Sequence, residues 1–284
     1  MRKIILPTDF SENAYNALRF ACQLFKYEKS EIILLNTYAD KVYTDENLLS
    51  KELIDELKAV TKTKAEMALN EISTKVHNEF CNPRHKIRSV AAFGDLVDEV
   101  NSLVNSENAD LVIMGTRGAT NDRELGFGSN TLLVLKYVQC PVLAIPENFS
   151  YQEPKNILFP TNFLIPYQKR ELKVVGEIAR DFKSVIHFLY LSKHKATSAR
   201  QKDNLEFLHE QFYNIRLEKH QSDELQKEKA IEEFIVNNNI DLLVMVNSRH
   251  TYLEDMLLTS TIDKVGLHPK VPLLVLQNFN RECI

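Results

Sequence analysis

The sequence predicts two α/β domains in tandem, each a Rossmann-like open parallel sheet with helices on both faces. Three observations carry that expectation. The chain repeats itself once: KIILPTDF at 3–10 returns as NILFPTNF at 156–163, ADLVIMGTRG at 109–118 as IDLLVMVNSR at 240–249, and CPVLAIP at 140–146 as VPLLVLQ at 271–277. The matches keep their order, and the last two share one offset, as in a duplication. Within each copy, short apolar runs alternate with longer amphipathic stretches, the signature of strands joined by crossover helices. Finally, 284 residues suffice for two ordinary domains.

In the first copy, KIILP, EIILLNTY, KIRSVAAF, DLVIMG and PVLAI read as buried strands by length and β-branched content. Between the first two, residues 12–26 place Ala14, Ala17, Leu18, Ala21, Leu24 and Phe25 on one helical face behind Ser11 as N-cap. A long helix is expected over much of 46–79, with Leu49, Leu53, Leu57, Val60, Met67, Ile72 and Val76 as its apolar face. Gly94-Asp95 reads as a turn and helix cap, and 95–107 and 129–139 supply two more helices. The polar stretch 147–154, ending in Pro154, is the expected linker. The domains are accordingly expected at 1–147 and 155–280. In the second copy, strands are expected near 156–160, 184–191, 213–219, 241–246 and 272–276. Helices are expected near 166–181, 197–211, 223–237 and 255–267.

Composition narrows the function classes. Hydrophobic content of 44% and charged content of 26% are globular values. A net charge of −4 gives no electrostatic case for nucleic acid or an anionic membrane. No apolar run approaches the roughly 20 residues that span a bilayer, and Pro7 and Asp9 interrupt the N-terminus too early for a signal peptide. A cytoplasmic protein is the resulting expectation. The four cysteines are scattered without a C-x-x-C pair, and Cys22 and Cys140 read as buried thiols.

Glycine is the informative residue. There are seven, where an average chain of this length has about 20. Gly115, Gly118, Gly126 and Gly128 fall within the single segment MGTRGATNDRELGFGSNT, 114–131, which follows a strand and precedes a helix. Glycines beyond the carboxyl end of a parallel strand free the backbone to take special angles and approach phosphate oxygens. The next helix start then offers N–H groups to an anion. Neither the Walker A pattern nor a G-x-G-x-x-G after the first strand is present. On spacing alone, a glycine-bearing surface loop stays open as the alternative.

KIILPTDFS, ILLNTY, G-x-x-G-x9-G-S at 115–129 and CPVLAIP together resemble the universal stress protein family, in its ATP-binding form, over 1–146. The resemblance is weaker over 156–277. It implies an adenine-nucleotide-hydrolase-like fold and a site for ATP or AMP, with Mg²⁺ as an optional companion. Asp9, carried by Pro7 and Thr8, matches the acid that approaches adenine and ribose, and Thr37 a backbone contact to adenine. Met114 and Gly115 match backbone contacts near the ribose and phosphates. Gly118, Gly128, Ser129, Asn130 and Thr131 match the phosphate cradle. Arg117 stands where a phosphate-neutralising residue is common, although a solvated loop arginine is the plain alternative.

The second copy replaces Asp9 by Asn162, and Gly115, Gly118 and Gly128 by Val246, Arg249 and Thr259, while keeping Ser129 as Ser260. It therefore reads as a degenerate domain retained for packing. His250 reads as a loop residue and His187 as a core or edge histidine, so no metal ligand is assigned. No catalytic residue is assigned either, because no nucleophile–base pair or paired carboxylates declare themselves. The expected function is nucleotide binding in the N-terminal domain by a stress-response or signalling module. A slow ATPase or nucleotide-dependent enzyme, and a structural interaction protein without nucleotide, are the alternatives. The two halves are expected to pair as an intramolecular pseudo-dimer through their last strands, too apolar to be left as edges. Association of whole chains and further protein partners stay open.

Overall fold

The computed structural model describes residues 1–43, 51–117, 127–191, 198–223, 226–247 and 270–278. By contacts the chain divides into two compact units, one drawn from 1–121 and 128–140, the other from 122–127 and 141–284. The expected linker carries neither helix nor strand.

In the first unit β1 (Arg2–Pro7), β2 (Ser30–Thr37), β3 (His85–Ala92) and β4 (Leu111–Gly115) lie in the order β3-β2-β1-β4, all parallel. The central strands are buried end to end, which is why they read as unbroken apolar runs rather than alternating ones. Helices α1 (Glu12–Leu24), α2 (Ala39–Tyr43), α3 (Lys51–Glu79), α4 (Leu96–Glu107) and α5 (Ser129–Tyr137) make the connections. Ser11 Oγ accepts from Ala14 N at 3.2 Å to start α1, whose six expected apolar residues are all buried. Asp95 Oδ1 accepts from Val97 N at 2.8 Å to start α4, as the Gly94-Asp95 reading requires.

One expected face was misassigned. On α3, Leu53, Val60 and Met67 are exposed, at 44%, 44% and 60%. The helix instead buries Ala65, Leu69 and Val76, with Ile54 and Leu57 against the Tyr38–Val42–Ala65 cluster. Residues seven apart share a helical stripe, so the spacing of Leu53, Val60 and Met67 imitates a core face. Leu57 and Val76 of the expected face do pack inward, and Ile54, Ala65 and Leu69 complete a contact stripe turned away from Leu53, Val60 and Met67. Leu49 lies outside the described residues.

In the second unit β6 (Asn156–Thr161), β7 (Val185–Leu191), β8 (Arg216–Ser222), β9 (Leu242–Asn247) and β10 (Leu273–Gln277) are parallel. β5 (Val142–Ile145) joins them antiparallel to β10, giving the order β5-β10-β9-β6-β7-β8. The two last apolar runs of the repeats thus cover each other's edge. Helices α6 (Lys169–Phe182), α7 (Ala199–Gln211) and α8 (Lys227–Asn237) connect the strands. The helix expected near 255–267 lies outside the described residues.

The units repeat in register. Ile4 pairs with Leu111 as Ile157 pairs with Leu242. Lys3 N donates to Asp110 Oδ2 at 2.9 Å, while Lys155 N and Asn156 N both donate to Asp241 Oδ2 at 2.9 Å. One aspartate before β4 or β9 therefore fixes the entrance of β1 or β6. Both first strands end in the same turn. Thr8 Oγ1 accepts from Phe10 N at 3.1 Å and Thr161 Oγ1 from Phe163 N at 2.9 Å, with Phe10 and Phe163 at φ 70° and 57°. Left-handed backbone is otherwise carried by Asn108, Asn148, Lys183, Asn214 and Asn239 among the described residues. Cys22 and Cys140 are buried as expected.

Asp110→Ala and Asp241→Ala are each expected to destabilise by about 1–3 kcal/mol, because a strand-entrance amide loses a charged acceptor. The shift of the urea midpoint measures this, and an unchanged midpoint for both would overturn the strand-entrance account.

Candidate functional site

The chain order reverses at β1, where β2 lies on one side and β4 on the other. At such a switch point the connections leave in opposite directions and open a crevice beyond the strand ends. A cleft of about 760 Å³, including its open mouth, occupies that place. Pro7, Thr8 and Asp9 enter it from β1, Leu35, Asn36 and Thr37 from β2, and Met114, Gly115 and Arg117 from β4. Asn130 and Thr131 enter from the first turn of α5. Ala14, Asp40 and Leu96 complete it.

Nine of the residues singled out in the sequence line this cleft. Gly128 and Ser129 do not line it but form the N-cap and first residue of α5 beside Asn130. Gly118 lies outside the described residues, as do Arg249, Thr259, Ser260 and His250.

Each wall has a physical reason for its position. Asp9 is exposed, and its Oδ1 accepts from Ser11 N at 3.0 Å and Ser11 Oγ at 2.6 Å. The carboxylate thus holds the turn and faces the mouth at the same time. In the second unit Asn162 Oδ1 does the turn's work, accepting from Leu164 N at 2.9 Å, without the charge. Thr131 is buried, and its hydroxyl donates to Gly115 O at 3.0 Å, fastening the start of α5 to the end of β4. Gly128 N donates to Thr116 O at 2.8 Å. Having no side chain, Gly128 cannot cap α5, so the helix start keeps N–H groups for an anion.

The expectation that these glycines supply unusual backbone angles does not hold for the described ones. Gly128 has φ −67° and ψ 156°, which any residue adopts, and no described glycine has positive φ. Gly115 supplies room instead. A Cβ there would stand 2.6 Å from Asn13 Nδ2 and 2.9 Å from Asn13 Cγ. Asn13 needs that space because its Nδ2 donates to Arg117 O at 2.7 Å, bracing the chain as it leaves β4.

Sequence reasoning missed two asparagines. Asn13 acts across 104 residues, and only its place in the first turn of α1 hinted at a site. Asn36 is buried, and its Nδ2 donates to Thr8 O at 2.7 Å. Among the described residues its Oδ1 has no partner, an unusual state for a buried acceptor at a cleft wall. The hint was a lone polar residue inside the apolar run IILLN.

Among the described residues, larger side chains stand at the equivalent strand ends of the second unit. By strand register Tyr190 replaces Asn36 and Leu191 replaces Thr37. The Tyr190 ring stacks on Phe163 with centroids 5.9 Å apart, and its hydroxyl accepts from Gln201 Nε2 at 3.2 Å. Val246 stands in place of Gly115, and only a hollow of about 190 Å³ borders it.

A parallel sheet whose chain order reverses at a switch-point cleft defines an α/β protein of the Rossmann-like class. The chain belongs to the universal stress protein family, whose pattern matches residues 1–146 and again 153–277. Two universal stress proteins of Methanocaldococcus jannaschii are similar to it. One is 29% identical over 158 residues, covering 52% of this chain and 97% of its own. The other is 26% identical over 152 residues, covering 51% and 82%. A universal stress protein structure from Archaeoglobus fulgidus matches with TM-score 0.66 at 22% identity, over 97% of this chain and 96% of that one. A second, from Pseudomonas aeruginosa, matches with TM-score 0.58 at 14% identity, over 98% and 93%. These establish the tandem α/β fold. No helix among the described residues is long and apolar enough to cross a membrane.

Gly115→Ala is expected to push Asn13 away and break its bond to Arg117 O, lowering stability by about 1–2 kcal/mol through steric strain. Adding Asn13→Ala should make the second change cheaper than it is alone, a coupling that a double-mutant cycle on thermal unfolding reads. Strict additivity would overturn the close-approach explanation.

Proposed function

We propose that the first unit binds one adenine nucleotide, ATP or AMP, and that the protein serves as a nucleotide-responsive stress or signalling module. The observation that carries this reading is the junction of the β1–β4 cleft with the side-chain-free start of α5. The cleft offers an apolar wall of Pro7, Leu35 and Met114 to a planar base. Asp9 offers an acceptor to ribose hydroxyls or an adenine amino group, and Asn36 Oδ1 a second acceptor. Phosphates would meet the α5 N-terminus, with Ser129 and Thr131 alongside and Arg117 across the cleft.

Isothermal titration of the ligand-free chain with ATP and with AMP, each with and without Mg²⁺, should give about one site per chain, by the loss of the cradle in the second unit. Gly128→Val should abolish binding while preserving circular dichroism, because Val accepts the φ and ψ found there and only its bulk intrudes. Asp9→Ala should weaken binding by roughly tenfold, the loss of one charge-assisted hydrogen bond. Asn162→Ala should leave affinity unchanged. A folded Gly128→Val that binds with wild-type affinity would sink the phosphate assignment, and a stoichiometry near two would sink the one-site reading.

A further inference from the structure

The second unit carries a side-chain cluster that the nucleotide reading does not use. His187 on β7 lies opposite Glu218 on the edge strand β8, and His220 follows Glu218 by two residues. Alternation along a strand therefore puts Glu218 and His220 on one face. His187 Nδ1 is 3.1 Å from His220 Nε2 and 3.5 Å from Glu218 Oε2, which is 3.8 Å from His220 Nε2. The circle through these three atoms has a radius of about 2.0 Å, which follows from the three separations. That radius is the bond length of Zn²⁺ to imidazole nitrogen and carboxylate oxygen, roughly 2.0–2.2 Å.

We propose that His187, Glu218 and His220 form a binding site for a divalent metal ion of the Zn²⁺ class, with the remaining coordination position open to water. The surrounding residues orient all three ligands. Asn156 Nδ2 donates to Asn239 O at 3.3 Å, which turns Asn156 Oδ1 toward His187 Nε2 at 3.4 Å. His187 Nε2 then carries the proton, and the Nδ1 lone pair points into the cluster. Arg216 binds Glu218 Oε1 at 2.6 Å, leaving Oε2 for the ion. The Phe234 ring of α8 closes the site, 4.8 Å from the His220 ring and 6.0 Å from the His187 ring. His187 is buried while Glu218 and His220 are half-buried, so solvent reaches one side.

The duplication gives an internal comparison. By register the same three positions in the first unit are Ile33, Arg88 and Val90. The ligand set therefore belongs to the second copy alone and is not a demand of the fold. Without metal, His220 Nε2–H donates to His187 Nδ1. On binding, the ion takes the place of that hydrogen, and His220 adopts its Nδ1–H tautomer, the proton passing from Nε2 to Nδ1 through solvent. The ion would then join the edge strand to its neighbour.

The test uses the full chain without an affinity tag, stripped with a chelator and titrated with Zn²⁺ alone, and separately with Co²⁺. One Zn²⁺ per chain and an intense visible Co²⁺ spectrum of tetrahedral type are expected. Glu218→Gln and His220→Gln should each weaken Zn²⁺ binding by more than about 100-fold, since losing even an outer-shell partner costs about 10–100-fold. Asn156→Ala should fall within that smaller range, and His209→Gln on α7 should bind as wild type. Circular dichroism of the metal-free variants confirms folding; if one variant fails to fold, the other and Asn156→Ala decide. Absence of saturable Zn²⁺ binding, or binding unchanged in the folded ligand variants, overturns the site.

Discussion

A parallel strand flanked by helices on both sides cannot carry polar side chains along its length without burying them. Paired backbone satisfies the peptide groups, and the side chains of β1, β2 and β4 are left with apolar surroundings. Polar chemistry is driven to the ends of the strands. At the amino ends it takes the form of Asp110 and Asp241, which tie strand entrances together. At the carboxyl ends it forms the cleft of the first unit. Asn36 and His187 stand within strands all the same, Asn36 bonded to Thr8 O and His187 beside His220.

This constraint explains what the sequence disclosed. Long apolar runs identify strands because nothing else survives in the middle of such a sheet, and the repeat supplies their order. The α1 face was legible because Ala14, Ala17, Leu18 and Ala21 recur at helical spacing behind a capping serine. The α3 face was not, because Leu53, Val60 and Met67 obey the same spacing on the solvent side. In the cleft, glycine spacing and PTDF marked the right strand ends. Asn13 escaped because its contact depends on the space above Gly115, a relation between residues 102 positions apart that no local pattern encodes. The histidine cluster escaped for a related reason. Its ligands come from two strands, and 33 residues separate His187 from His220.

The two copies show how a duplicated sheet diverges without losing its frame. Register, strand-entrance aspartates and the Thr–Phe turn are common to both. The carboxyl-end cleft of one is lined by small or short residues, whereas among the described residues of the other Tyr190, Gln201 and Val246 stand at the matching strand ends. The copies also differ at strands β7 and β8, where His187, Glu218 and His220 correspond to Ile33, Arg88 and Val90.

The left-handed residues bear on a state that no folded structure displays. Seven glycines serve 284 residues, and the tight turns at Asn108, Asn148, Asn214 and Asn239 are made by asparagine. Asparagine accepts left-handed backbone at a modest energetic cost, and a chain poor in glycine explores fewer conformations when denatured. Strain at a few native turns is thereby set against a smaller entropy gain on unfolding. Part of this protein's stability resides in the restricted wandering of its disordered chain.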